Sequence, residues 1–219
     1  MKNLIIPDGY QPAIDIRETE VAIKYVKDFF ERELAKELKL TRVSAPLFVK
    51  PETGLNDNLN GVERPVSFGV KEQNDANVEI VHSLAKWKRL ALQRYGFSVG
   101  EGLYTDMNAI RRDEDTDNIH SIFVDQWDWE KIITKEDRTV ETLQTIVKNV
   151  YNALKATEEF ICNKYTYVNP IMPEEISFIT TQELEDMYPD STPKEREYNI
   201  AKLKGCLLYT SPSPRDTER

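Results

Sequence analysis

"GEGLYTDMNAIRRDEDTDNIHSIFVDQWDWEKI", residues 100–132, contains two extended runs that are separated by a strongly charged segment. The runs are rich in aromatic and β-branched residues, which favour strands. The charged segment, residues 112–118, is typical of a surface turn. The stretch therefore predicts two long antiparallel strands joined by that turn.

The second of these strands has two unlike faces. Alternate residues of a strand point to opposite sides of the sheet, so Gln126, Asp128 and Glu130 share one face and Trp127 and Trp129 share the other. One interpretation is a solvated polar face over a tryptophan core. The other is a polar binding site, and the strand by itself does not decide between them.

Helices and further strands surround this pair. Apolar residues recur with a helical period in two long segments, and Pro46 places its strand at a sheet edge or an interface because proline lacks a ladder donor. The pattern predicts an α+β fold in which an antiparallel sheet is flanked by helices. The predicted helices are 14–38, 84–95, 138–165 and a short one from Thr181, and the other predicted strands are 40–50, 65–70, 77–83 and 176–180.

Length and charge restrict the partners. The chain has 219 residues, 40% of them hydrophobic, which suits one globular domain. Its net charge of -9 disfavours general attraction to nucleic acid or to an anionic membrane, so an anion site must be local. We find no signal peptide and no apolar stretch long enough to span a membrane. Cys162 and Cys206 form neither a metal motif nor a disulfide framework. We therefore expect a cytoplasmic protein.

The end of the chain is predicted to have a different origin from the rest. Its segment "CLLYTSPSPRD", residues 206–216, matches the translation of a nucleotide string that resembles a transposase sequencing adapter. We expect residues 206–219 to be a disordered artefact tail. The native sequence would then stop near Lys204 or Gly205, in the middle of a domain.

Five runs, in order along the chain, carry a resemblance to a known family. They are "DNLNGVERPV" (57–66), "VHSLAKWKR" (81–89), "GEGLYTDMNAIRRDED" (100–115), "HSIFVDQWDWE" (120–130) and "TQELEDMYPD" (181–190). Together they resemble the aspartate-ammonia ligases, the ammonia-dependent asparagine synthetases. The resemblance implies the catalytic fold of class II aminoacyl-tRNA synthetases, here incomplete, with residues 1–205 as the N-terminal part of the catalytic domain. The first helix and "RVSAPLFV" resemble the dimer-forming motif of that class, which implies a homodimer.

The resemblance also implies a reaction. The side-chain carboxylate of L-aspartate attacks the α-phosphorus of ATP, which gives β-aspartyl-adenylate and pyrophosphate. Ammonia then displaces AMP to form L-asparagine. The implied cofactors are ATP and Mg²⁺, and no nucleic-acid partner is expected.

Two catalytic residues and one nucleotide contact are implied in the same way. Arg111 resembles the arginine whose planar fork holds the α-phosphate and the aspartate carboxylate together. Asp57 resembles a loop aspartate that pairs with the substrate ammonium or orients ammonia. Glu114 resembles an acid that contacts the nucleotide base, so that Arg111 and Glu114 bind ATP.

Four further residues are implied to bind the substrate. Gln126 and Asp128 resemble residues of the amino-acid pocket, and Ser83 and Lys88 resemble those that bind the substrate carboxylate. Lys86 and Lys88 lie two residues apart on a helix and cannot share a face, so we expect Lys88 to point into the site.

The chain also departs from the family pattern. It has no "GGGIGQSR"-like segment, which in the family supplies groups for the γ-phosphate and Mg²⁺, so we predict no metal ligand within this chain and expect the chain as it stands to be inactive. Two alternatives remain. One is a synthetase-like paralogue that activates or binds another amino acid, and the other is a non-catalytic dimeric binding module.

Overall fold

Strands β5 (Gly102–Ile110) and β6 (Phe123–Lys131) form the antiparallel pair predicted from residues 100–132. Their register sets Met107 opposite Gln126 and Thr105 opposite Asp128. A third strand, β1 (Leu40–Arg42), joins the free edge of β5 in parallel, so the strand order is β1-β5-β6. The sheet is therefore mixed at one edge, where we had predicted antiparallel pairing.

The structure, a computed structural model, describes residues 4–57, 59, 61–118 and 120–205, together with the backbone of 207–210. The chain divides into two compact units, Met1–Asn149 and Val150–Arg219. The described helices are α1 (Ile16–Leu38), α2 (Ala85–Arg94), α3 (Val140–Lys164), α4 (Thr181–Met187) and α5 (Pro193–Lys204), and the remaining strands are β2 (Phe48–Val49), β3 (Ser67–Val70), β4 (Ala76–Ile80), β7 (Ser177–Thr180) and β8 (Leu207–Thr210).

A second sheet in the first unit has the order β2-β4-β3, with both pairings antiparallel. The segment 40–50, which we predicted as one strand, is divided between the two sheets. Pro46 lies in the irregular segment between β1 and β2. Because proline cannot donate to a ladder, a break at this position lets the chain leave one sheet and enter the other.

The two faces of the β5–β6 pair are covered differently. Helix α2 packs on the face that carries Met107 and Leu103, and there Val81, Leu84 and Leu92 complete the core.

Helix α1 covers the tryptophan face. On that side the ring centroids of Phe30 and Trp127 are 5.2 Å apart, Lys27 Nζ lies 2.6 Å from a carboxylate oxygen of Asp125, and the Tyr104 hydroxyl donates to Glu31 at 2.7 Å. As predicted, Gln126, Asp128 and Glu130 lie on the face opposite to Trp127 and Trp129. The polar three share their face with Leu103, Met107 and the apolar core, however, so the interpretation of a solvated face over a tryptophan core is wrong.

In the second unit, helices α4 and α5 both begin at a capping box. Thr180 and Thr192 are the N-caps, and each exchanges hydrogen bonds with a glutamate three residues later. Helix α5 was not predicted. Strand β8 pairs in parallel with β7 and lies within the tail that we expected to be disordered. The run Leu-Leu-Tyr-Thr favours strand, and β7 offers it an edge. The assignment of 206–219 to an artefact tail stays a prediction. Residues 206 and 211–219 of the tail lie outside the described residues.

Candidate functional site

A small cavity of ≈ 110 Å³ lies where the end of β5, the charged turn after it, the loop before β3 and the segment after β4 meet. It contains both residues that we predicted to bind ATP, Arg111 and Glu114. The cavity has charged groups of both signs within a short distance of one another. Its lining residues are Leu59, Glu63, Arg64, His82, Arg111, Arg112, Asp113 and Glu114.

Two lining side chains have buried polar atoms that are not hydrogen-bonded. Nδ1 and Nε2 of His82 and Nε of Arg111 have no partner among the described residues, and His82 is only 1% exposed. Buried polar groups of proteins are nearly always paired, so unpaired ones call for a catalytic or ligand-binding explanation. A histidine at a strand end often donates to a nearby carbonyl, but the described residues offer His82 no such acceptor. The cavity therefore has hydrogen-bonding capacity left for another group.

An ion pair holds the charged turn beside this cavity. The Arg64 Nε donates to Asp113 at 3.1 Å and its backbone N–H donates to the same carboxylate at 2.9 Å. These hydrogen bonds lower the pKa of Asp113 to about 2. Asp113 thus stays ionised and fixes the turn that begins with Arg111.

A second polar group lies on the α2 face of the sheet. Lys88 is buried, with a side chain only 4% exposed, and its ammonium group binds the Asp128 carboxylate. It also donates to the Trp129 carbonyl at 2.9 Å, and a carboxylate oxygen of Glu130 lies 3.6 Å away. The structure therefore brings together Lys88 and Asp128, which were both predicted for the substrate pocket. Lys86 is exposed, as expected from the helical spacing.

The other predicted residues are placed as follows. Ser83 lies directly after His82, and its hydroxyl accepts from the Ala85 N–H at 3.2 Å at the start of α2. Gln126 shares the face of Asp128, where its amide contacts the Met107 sulfur at 3.9 Å. Asp57 lies in the loop before β3, directly after the buried Asn56.

Three site residues were missed in the sequence. Arg64 and Asp113 form the pair that holds the turn, and Asn56 accepts from the His82 N–H at 2.9 Å. Both partnerships join residues more than twenty positions apart, and no local pattern encodes them. Arg64 and Asp113 lie within runs that carry the family resemblance, which could have drawn attention to them, whereas Asn56 lies one residue before such a run.

The described residues contain neither a metal-binding group nor a membrane-spanning helix. No three side chains of His, Cys, Asp or Glu there are grouped so that they could hold a metal ion. Among the same residues, no helix is both long enough and apolar enough to cross a lipid bilayer.

Residues 17–211 match the protein-family profile of aspartate-ammonia ligase. The chain belongs to this family. Aspartate-ammonia ligase of Ruminiclostridium cellulolyticum is 67% identical over 208 residues, which are 95% of this chain and 62% of that relative. The enzyme of the same name from Clostridium perfringens is 66% identical with the same coverage, and that of Lactiplantibacillus plantarum is 57% identical over 94% of this chain and 64% of its own. The chain thus spans less than two thirds of the length of these relatives.

Solved structures agree on the fold. The chain is similar to the asparaginyl-tRNA synthetase of Entamoeba histolytica, with a TM-score of 0.58 and 11% identity over 91% of this chain and 45% of that one. It is also similar to the asparaginyl-tRNA synthetase of Pyrococcus horikoshii complexed with asparaginyl-adenylate, with a TM-score of 0.55, 13% identity and coverage of 88% and 45%. The predicted class II synthetase-like α+β fold is confirmed.

Proposed function

We propose that this chain is the N-terminal part of an enzyme that converts L-aspartate, ATP and free ammonia into L-asparagine, AMP and pyrophosphate. The observation that carries the proposal is the 67% identity to an aspartate-ammonia ligase over 95% of this chain. Unpaired polar atoms in the cavity of Arg111 and Glu114 support it, because they mark a place where a ligand would complete the hydrogen bonding.

The first step joins two anions and therefore needs positive charge at the phosphorus. A carboxylate oxygen of aspartate attacks the α-phosphorus, and the bond to pyrophosphate breaks with its electron pair on the leaving oxygen. In our proposal, the Arg111 guanidinium bridges the α-phosphate and the attacking carboxylate and stabilises the charge that develops between them. Glu114, in the turn that follows, contacts the base of ATP.

The second step needs ammonia beside an activated acyl carbon. Ammonia attacks that carbon, AMP leaves with the electron pair of the bond that breaks, and the new nitrogen loses a proton to become the amide. We assign Asp57 to the ammonium group of the substrate or to the orientation of ammonia. Both roles use a carboxylate that accepts hydrogen bonds from N–H groups.

The amino-acid pocket is assigned to Ser83, Lys88, Gln126 and Asp128. The contact between Lys88 and Asp128 supports this assignment, since the buried ammonium group orients the Asp128 carboxylate. Asp128 then has carboxylate oxygen left to accept from the substrate ammonium. Ser83 and Gln126 supply uncharged polar groups.

The test uses the complete coding sequence, obtained by sequencing past codon 205. The purified enzyme should form asparagine and AMP in equal amounts from aspartate, ATP and ammonium chloride. Release of ADP in place of AMP, or a strict need for glutamine, would refute the proposal. The 219-residue chain, assayed in parallel, should be inactive.

We also propose that the complete enzyme is a homodimer. Helix α1 and the β2–β3 region carry large apolar side chains that are exposed in the single chain, and one partner surface could cover them. These residues are Ile16, Val21, Ile23, Leu47, Phe48 and Phe68. Light scattering that gives the mass of a monomer at micromolar concentration would overturn the assignment.

A further inference from the structure

Asn56 is a buried residue in an otherwise polar loop. It is only 6% exposed, and both ends of its side-chain amide are used. The Oδ1 atom accepts from the His82 backbone N–H at 2.9 Å, and the Nδ2 group donates to a carboxylate oxygen of Glu79 at 3.2 Å. Connecting loops normally run over the surface, so a buried loop side chain with two distant partners fixes the position of the loop.

The backbone of the same residue has a third partner. The ammonium group of Lys86, in the first turn of α2, donates to the Asn56 carbonyl at 3.3 Å. Asn56 is thus held by strand β4, by the turn after β4 and by helix α2. These partners follow it in the chain by 23, 26 and 30 residues.

The residues beside these contacts are the ones assigned to the substrate. Asp57 follows Asn56 in the loop, and Ser83 follows His82 in the turn. The hydrogen bond between the Asn56 amide and the His82 N–H therefore joins the two segments that carry Asp57 and Ser83. We propose that Asn56 is a positioning residue that holds Asp57 in register with the amino-acid pocket, and that Lys86 reinforces it.

This inference rests on the proposed function, because Asp57 and Ser83 are assigned to substrate there. Asn56 itself does not touch substrate in this arrangement. Its role is to set the distance between two groups that do. A displacement of about 1 Å at such a group can lower the rate about 100-fold.

Asn56→Ala removes both side-chain hydrogen bonds, and we expect it to lower kcat/KM for ammonia about 100-fold in the complete enzyme. Asn56→Asp keeps an acceptor for the His82 N–H but sets a second carboxylate against Glu79. We expect a similar loss. Adding Glu79→Gln to Asn56→Asp reverses the hydrogen bond between these positions, so that the amide at position 79 donates to the carboxylate at position 56. Activity should then return to within about 10-fold of the parent. Asn77→Ala, an exposed asparagine on β4, is the matched control and should leave the activity unchanged.

A double-mutant cycle distinguishes positioning from general destabilisation. If Asn56 acts through Asp57, then Asn56→Ala should lower the residual activity of Asp57→Asn by less than about threefold, because coupled sites are not additive. A full 100-fold loss in the Asp57→Asn background would refute the positioning role. So would an Asn56→Asp enzyme that Glu79→Gln does not rescue.

A second measurement is independent of catalysis. Since the His82 N–H donates to Asn56, its hydrogen exchange reports the contact directly. Exchange should accelerate at least about tenfold in Asn56→Ala and return towards the parent rate when Asn56→Asp is combined with Glu79→Gln. Unchanged exchange in Asn56→Ala would show that the contact is not formed and would overturn the inference, even if the enzyme makes asparagine. If the parent enzyme makes no asparagine, while the variants change the exchange of the His82 N–H as expected, the proposed function alone is refuted.

Discussion

Replacing Lys88 by methionine should strongly destabilise the complete enzyme. The side chain is 4% exposed, and its ammonium group binds Asp128, lies 3.6 Å from Glu130 and donates to a backbone carbonyl. Methionine has a similar length but no charge, so two carboxylates of the sheet face lose their buried cation. The loss should appear in the free energy of unfolding.

The size of the effect follows from burial. Removing one partner of a buried ion pair typically costs about 3–5 kcal/mol, since an uncompensated charge remains. Asp128 is still 17% exposed and keeps some contact with water, so we expect a value near the lower end, about 3 kcal/mol. That is a large fraction of the roughly 5–15 kcal/mol that stabilises a typical domain.

The next residue along α2 supplies a matched control. Arg89 pairs with Glu130 at 3.5 Å, but its side chain is 69% exposed. Because solvent screens such a pair, Arg89→Met should cost less than about 1 kcal/mol. Urea unfolding of both variants at neutral pH, followed by circular dichroism, gives the comparison directly.

A double variant tests the assignment of the energy to one pair. Asp128→Asn removes the stranded charge, so the combined variant should be more stable than the sum of the single effects predicts, by about 1–3 kcal/mol. Two results would contradict this reasoning. One is a free energy of unfolding of Lys88→Met within about 1 kcal/mol of that of Arg89→Met, which is about fivefold in the folded-to-unfolded ratio. The other is additivity of Lys88→Met and Asp128→Asn.

Three further predictions concern the nucleotide site, the tryptophan face and the start of β5. Arg111→Lys should lower aspartate-dependent pyrophosphate exchange roughly 100- to 1000-fold, because one ammonium cannot replace a bidentate fork; activity within about threefold of the parent would exclude a bridging role. Burial and the hydrogen bond to Glu31 raise the pKa of Tyr104 to about 12. The folded state therefore keeps a proton that the unfolded state loses from about pH 10 upward, and stability should fall by up to about 2–3 kcal/mol between about pH 10 and 12. Urea titrations at several alkaline pH values should show a shallower fall for Tyr104→Phe. Gly102→Ala should cost about 1–3 kcal/mol in thermal or urea unfolding, since a Cβ there would lie 2.5 Å from the Glu130 carbonyl oxygen, whereas Gly69→Ala, with its nearest contact at 3.2 Å, should cost less.

Helix α5 shows how far local patterns extend. It escaped prediction because its apolar residues do not form a clear stripe, and Tyr198 and Leu203 are exposed. Its start signal was nevertheless present in the sequence, as Thr192, a proline at the first helical position and Glu195 three residues after the cap. The capping signal therefore predicts this helix, whereas apolar periodicity alone does not.

The sequence by itself determined the β5–β6 pair, the alternation of polar and tryptophan side chains along β6, the bounds of the long helices to within a few residues and the family. Strand alternation and helical period act between near neighbours, so a linear pattern is enough to predict them. Only the tertiary structure decided that β1 joins β5 in parallel, that Lys88 is bound to Asp128, and that Asn56 holds the turn at His82. Each of these depends on where distant segments meet when the core closes, and on which polar groups then find a partner away from water.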